Sequence, residues 1–172
     1  MNPKTGLHEK LAEIRRRCAA ASPPPWTVER NGHGAAIIRT GAADRENRLI
    51  VRREREPASD ADVRFIALAR AVTERLVDAV ERGDAGAFSA EELDEIDAAV
   101  EGASLPPWKP FLESTEPIGG SSVIWVGGER EDEPDMYVWL GDDRRSAPDP
   151  DIDFIAHARQ DVPELVAAVR RL

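Results

Sequence analysis

With Cys18 as its one cysteine, this chain of 172 residues can build neither an internal disulfide framework nor a multi-cysteine zinc site. No apolar run approaches the roughly 18 residues that read as a membrane span, and the opening MNPKTGLHEKLAEIRRR lacks the apolar core of a secretory signal. A cytoplasmic protein with no membrane contact is therefore expected. Histidine is scarce: His8, His33 and His157 fall at no metal-ligand spacing. Also missing are G-x-x-x-x-G-K-[ST], G-x-G-x-x-G and G-x-S-x-G, so no phosphate-cradling loop or serine elbow is indicated. What remains is 41% hydrophobic and 33% charged residues, the balance of a folded globular chain. A net charge of −10 argues against general nucleic-acid binding but leaves room for a local basic patch.

Self-similarity is the clearest positive signal. At an offset of 82, residues 11–26 match residues 93–108 at eight of sixteen positions, including Pro24/Pro106, Pro25/Pro107 and Trp26/Trp108. At an offset of 89, residues 60–82 match residues 149–171 at twelve of twenty-three, including Asp62/Asp151, Phe65/Phe154 and Arg70/Arg159. The second copy must carry seven extra residues between its anchors, where a loop can absorb them.

Each copy reads alike. Leu7, Leu11, Ile14 and Cys18 form an apolar helical stripe, repeated by Leu93, Ile96 and Val100. Pro-Pro-Trp stops that helix, and three short β-type runs follow: 26–30, 35–40 and 49–53, then 108–113, 122–126 and 136–140. A second helix closes each copy, with Asp60 and Asp149 in cap positions and Pro150 opening the last helix. Pro163, which replaces Glu74, predicts a kink or restart near Asp161. The expected fold is α+β, an α-β-β-β-α unit in tandem duplication over 1–83 and 84–172, with antiparallel sheets and a pseudo-two-fold axis. Whether the two sheets join is open at this level.

Trp26 and Trp108 read as plugs between sheet and helices rather than ligand-stacking platforms. Phe65 and Phe154 belong to the packed face of D-x-D-x-x-F-I-A-x-A-R, and Arg70 and Arg159 read as structural forks reaching a carboxylate or backbone carbonyls. Together A-S-x-P-P-W, D-x-D-x-x-F-I-A-x-A-R and the terminal D-V-P-x-L-V-x-x-V-x-x-L resemble a module of uncharacterised small proteins of actinobacteria and their phages. In that group a helix ends at A-[ST]-P-G-P-W and the module closes with F-I-A-x-A-R-x-D-V-P-x-L. The resemblance covers about half the chain, with Val72, Thr73 and Glu74 replacing D-V-P in the first copy and Leu105 replacing the group's first proline in the second. It implies an accessory gene of a phage or mobile element and carries no catalytic or binding residue across.

No catalytic, metal or cofactor residue is assigned. Cys18, which matches Val100, reads as an apolar filler; His157, which matches Leu68, reads as a surface histidine. The acids Glu129, Glu131, Asp132, Glu133 and Asp135, like Asp149, Asp151 and Asp153, lack EF-hand spacing and suit loops and helix starts. The charge split is sharper: residues 1–86 hold 16 basic against 13 acidic side chains (+3), and residues 87–172 hold 7 against 20 (−13). Arg45, Arg48, Arg52, Arg53 and Arg55 gather in the first copy, interleaved with Glu46, Glu54 and Glu56. In the second, Val123–Val126 and Met136–Leu140 are apolar on both strand faces, so either both are covered or one is a binding surface. The leading expectation is a non-enzymatic interaction protein, of inhibitor, immunity or accessory type, that binds a basic protein. Trp125, Tyr137 and Trp139 would hold the partner; Glu131, Asp132 and Glu133 would steer it. Two alternatives stand beside it: a nucleic-acid-associated regulator using the arginine cluster, and a hydrolase with a carboxylate or His157 site.

Overall fold

The structure is a computed structural model that describes residues 3–41, 48–53, 56–115, 122–127, 135–141 and 145–172. Helix α1 (Pro3–Ala20) buries Leu11, Ile14 and Cys18 and leaves Leu7 outside. It ends before a proline run with a cis bond at Pro24–Pro25, and the matched Pro106–Pro107 bond is cis as well. Helix α2 (Asp60–Arg82) is capped by Ser59, whose hydroxyl accepts from Asp62 N–H at 3.1 Å, and stops at Gly83, where φ is +63°. Asp60 is thus the first helical residue rather than the cap; its carboxylate pairs with Arg30. Helix α3 (Ala90–Gly102) opens on a capping box formed by Ser89 and Glu92.

Helix α4 (Asp149–Val169) likewise begins one residue after its cap, Pro148, with Pro150 in the first turn. It runs through Pro163 as one helix, so the restart expected near Asp161 does not occur. Proline there removes one helical N–H, whereas Val162, Leu165, Val166 and Val169 keep the segment buried on both sides of it.

The strands are β1 (Thr27–Arg30), β2 (Ala36–Arg39), β3 (Arg48–Arg52), β4 (Trp108–Phe111), β5 (Val123–Val126), β6 (Met136–Leu140) and β7 (Arg145–Ser146). Among the described residues they form a single antiparallel sheet of seven strands in the order β1-β2-β3-β6-β5-β4, with β7 also pairing with β6. The open question about two sheets is answered at β3 and β6: Leu49 faces Leu140, Ile50 faces Trp139, Val51 faces Val138 and Arg52 faces Tyr137. The element order departs from the expectation at β7, which gives the second half a fourth strand. In the first half a single bridge between Arg52 and Pro57 stands in that place.

The helices lie on one face of the sheet, with α2 and α4 packed against its strands and α1 and α3 packed on α2 and α4. Ile38, Leu49, Val51, Trp108, Ile124, Val126, Met136 and Val138 point into one hydrophobic cluster with Ile14, Phe65, Ile66, Leu93, Ile96, Ile152, Phe154 and Ile155. Contacts cross between the halves. Trp26 meets Phe154 edge-on at 5.7 Å, and Trp108 meets Phe65 at 5.6 Å. Asp151 accepts from Ser22 N–H at 2.5 Å and Ser22 Oγ at 2.8 Å; Asp62 accepts from Ser104 N–H at 2.7 Å and Ser104 Oγ at 2.9 Å. Arg70 donates to the carbonyls of Ser22 and Cys18, and Arg159 to that of Ser104, tying the end of the neighbouring helix to the motif helix. No helix among the described residues is long and apolar enough to cross a membrane.

Candidate functional site: the open face of the sheet

Strand alternation places every second residue on the face away from the helices. From edge to edge, that face carries Ile37 and Arg39 of β2, Arg48, Ile50 and Arg52 of β3, Tyr137 and Trp139 of β6, Val123 and Trp125 of β5, and Lys109 and Phe111 of β4. Ile50, Trp125, Tyr137 and Trp139 are half-buried, unlike their core-facing neighbours Leu49, Ile124 and Val138, which are fully enclosed. Both strand faces look apolar in sequence because one packs on helices and the other forms a lateral layer of aromatic and aliphatic side chains.

That layer is interleaved with cations. The Arg52 guanidinium lies over the Trp139 ring at 5.5 Å from its centroid, and the Lys109 ammonium lies over Trp125 at the same distance. Phe111 also tilts against Trp125, with ring centroids 5.8 Å apart. Arg39 forms a fork with Glu29, donating at 2.7 and 2.8 Å, which holds that carboxyl below the usual range. The structure therefore brings together two groups that the sequence keeps in separate halves: Trp125, Tyr137 and Trp139 share one surface with Arg48 and Arg52.

Other members of the two proposed sets go elsewhere. Arg53 turns to the helix side, where it donates to Asp62 at 3.1 Å and to the Ser104 hydroxyl. Glu131, Asp132 and Glu133, together with Glu129, Arg45, Glu46, Glu54 and Arg55, lie outside the described residues. In the sequence, the acids at 129–133 fall between β5 and β6, whereas Arg45 and Glu46 precede β3 and Glu54 and Arg55 follow it. Lys109, Phe111, Ile37 and Ile50 were not singled out from sequence. Alternation within each strand would have found their side of the sheet, but only the β3–β6 register shows that they adjoin the tryptophans.

A second, polar feature lies between α1 and α4, in a groove of about 480 Å³ lined by Glu13, Arg16, Arg17, Ala20, Asp153 and His157. Arg17 pairs with Glu13, with Asp161 at 3.3 Å and with Asp153 at 3.5 Å. His157 Nδ1 sits 3.2 Å from the Asp153 carboxylate and 2.9 Å from its carbonyl. The hydrogen bond to Asp153 raises the imidazole pKa, and the same contact lowers that of Asp153. Nucleophilic use of Cys18 is opposed by its burial, which pushes the thiol up to about 11. Among the described residues, no group of three or more His, Cys, Asp or Glu side chains is placed to hold a metal ion. No family model matches the chain, and no curated protein or solved structure gives a match.

Proposed function

We propose that this is a non-enzymatic interaction protein, of inhibitor, immunity or accessory type, whose open sheet face docks a basic protein partner. The observation that carries the reading is the half-exposed layer of Trp125, Tyr137 and Trp139 on a sheet face that no helix among the described residues covers. Large aromatic side chains of this kind are the residues that anchor interfaces. The surrounding field is set by the net charge of −10, and in the sequence the acids of 129–135 fall between the two aromatic strands, so a cationic surface would be steered toward the protein. Arg52 and Lys109 already lie across the indole rings, where they widen the platform instead of offering bare faces for stacked bases.

The same reading takes the chain as a tandem duplication with pseudo-two-fold symmetry and repeats over 1–83 and 84–172, carried by a phage or mobile element. Reciprocal contacts between matched residues support the duplication. Trp26 packs on Phe154 as Trp108 packs on Phe65, and Asp62 holds Ser104 as Asp151 holds Ser22. The pairs Leu49–Leu140 and Val51–Val138 flank Ile50–Trp139 as two-fold-related pairs would. A nucleic-acid partner is kept as a second reading, because Arg48 and Arg52 share the face with the tryptophans.

One experiment separates the two. Affinity capture from host extract, followed by binding kinetics with the captured species, is expected to give a protein. Its association should slow strongly with salt or on neutralising Glu131, Asp132 and Glu133 together, while Trp125→Ala or Trp139→Ala accelerates dissociation. Salt-sensitive binding of DNA or RNA, lost on replacing Arg48 and Arg52 and with no protein recovered, would establish the second reading instead.

A further inference from the structure

Among the described residues the sheet ends in two edge strands, β1 and β4, and only β4 has its edge closed. At β4 the Gln160 side chain plugs the edge: Trp108 N–H donates to its carbonyl at 3.2 Å, and its amide donates to the Trp108 carbonyl at 2.7 Å. Two residues on, Pro110 has no N–H to offer. Both devices are missing from β1. Gln160 matches Ala71, which has no hydrogen-bonding side chain, and Pro110, opposite Ile124, takes the place that Val28, opposite Ile38, has in β1.

The hydrogen-bond parity of β1 is fixed by Asn31 N–H, which donates to the Ala35 carbonyl at 3.0 Å. In an antiparallel ladder with Glu29 opposite Ile37 and Thr27 opposite Arg39, those residues bond to β2, so Val28 and Arg30 turn their N–H and C=O groups outward. Val28 is also one of the few large apolar side chains left exposed, at 40%. Such an edge is a template for pairing with another strand.

We propose that β1 is a homodimer edge, on which β1 of a second copy adds in antiparallel fashion with the two Val28 residues facing each other across a two-fold axis. The exposed Val28 at the centre of an unpaired edge suits a second copy of the same strand, and the absence of directly opposed like charges selects that register. Centred on Val28, the pairing sets Glu29 against Thr27 and Arg30 against Trp26 of the second copy, so no like charges are opposed. Moving one step toward Arg30 would set Glu29 against Glu29, which costs stability. The Val28 pair exchanges two backbone hydrogen bonds and buries both exposed valines. The dimer would extend the sheet sideways and leave the open face of each copy untouched.

Sedimentation velocity over a range of about 1 μM to 1 mM tests this, since that range spans weak to moderate self-association. The expected result is a reversible monomer–dimer equilibrium. Val28→Pro removes both symmetric N–H donors and should raise the dissociation constant at least about tenfold. The fold should accept it, because Pro110 occupies the corresponding place; unchanged circular dichroism and Tm check this. Should that variant fail to fold, Val28→Lys tests the same contact by placing like charges on the axis, and it too should yield monomer. Conversely, Gln160→Ala with Pro110→Val opens the second edge and should give assemblies larger than a dimer. Wild type that stays monomeric throughout, or a dimer indifferent to the folded Val28 variants, would overturn the proposal. In the monomeric case, capture of a synthetic extended peptide on β1 would assign the edge to a foreign strand.

Discussion

His157 and Asp161 stand where the first half has Leu68 and Val72, so packing a helix of this kind against its neighbours requires neither charge. Asp161 is nearly enclosed, and burial raises its pKa despite Arg17 and Lys10 nearby. His157 shifts for a different first cause, the hydrogen bond to Asp153, with burial and the positive charge of Arg17 opposing it. Because the folded imidazole holds its proton more tightly than the unfolded one, its contribution to stability is complete below the ordinary pKa of 6.5 and is lost as pH rises through the folded value. His157→Leu, which restores the residue of the first half, should therefore flatten the fall in unfolding free energy from about pH 6 to pH 8 seen in the wild type. Urea denaturation at several pH values checks this, and equal slopes for both proteins would refute it.

Among the elements, α4 tolerates what sequence rules oppose. Pro163 lies between the buried turns of Val162 and Leu165 and leaves one helical carbonyl without its usual donor, yet the helix continues to Val169. Its counterpart α2 has Glu74 there. Pro163→Ala should stabilise the protein by about 1–3 kcal/mol, the helix-interior penalty of proline less the unfolded-state entropy it removes; a lower Tm would show that the ring itself is needed for packing. Local signals made much of this legible from sequence. Apolar spacing marked the helices, Pro-Pro-Trp marked the corners, and the matched motif named the buried Phe65, Phe154, Trp26 and Trp108. Partner choice was not legible. Leu49-Ile50-Val51 and Val138-Trp139-Leu140 each read as apolar on both faces, and nothing in either run says that they pair with one another. The arginines and tryptophans of the open face were accordingly placed in separate candidate sites. The cap of α2 was missed by one residue because Ser59 and Asp60 are both good caps, and Asp60 is drawn instead to Arg30.

At the scale of the molecule, the sheet junction and the crossed contacts make each half a component of the other's core. Without residues 87–172, Trp26 loses Phe154, Ser22 loses the Asp151 carboxylate, and β3 becomes a long apolar edge with Leu49 and Val51 uncovered. The complementary piece loses Phe65 from Trp108 and Asp62 from Ser104. Removing the packing around one buried aromatic costs about 3–5 kcal/mol, comparable with the whole stability of a small domain. Chain cleavage after Gly86, in the exposed stretch between α2 and α3, should therefore give two fragments that are each unfolded or aggregated alone. Mixed together they should refold, with recovery of near-ultraviolet circular dichroism and of blue-shifted tryptophan emission. Their charges, +3 and −13, favour encounter, so association should slow as salt is raised while the reconstituted complex, held by apolar contacts, unfolds at nearly the same urea concentration. Cooperative folding of fragment 1–86 as a monomer would sink this expectation, because it would mean that the reciprocal tryptophan contacts and the β3–β6 pairing join two self-sufficient units instead of completing one core.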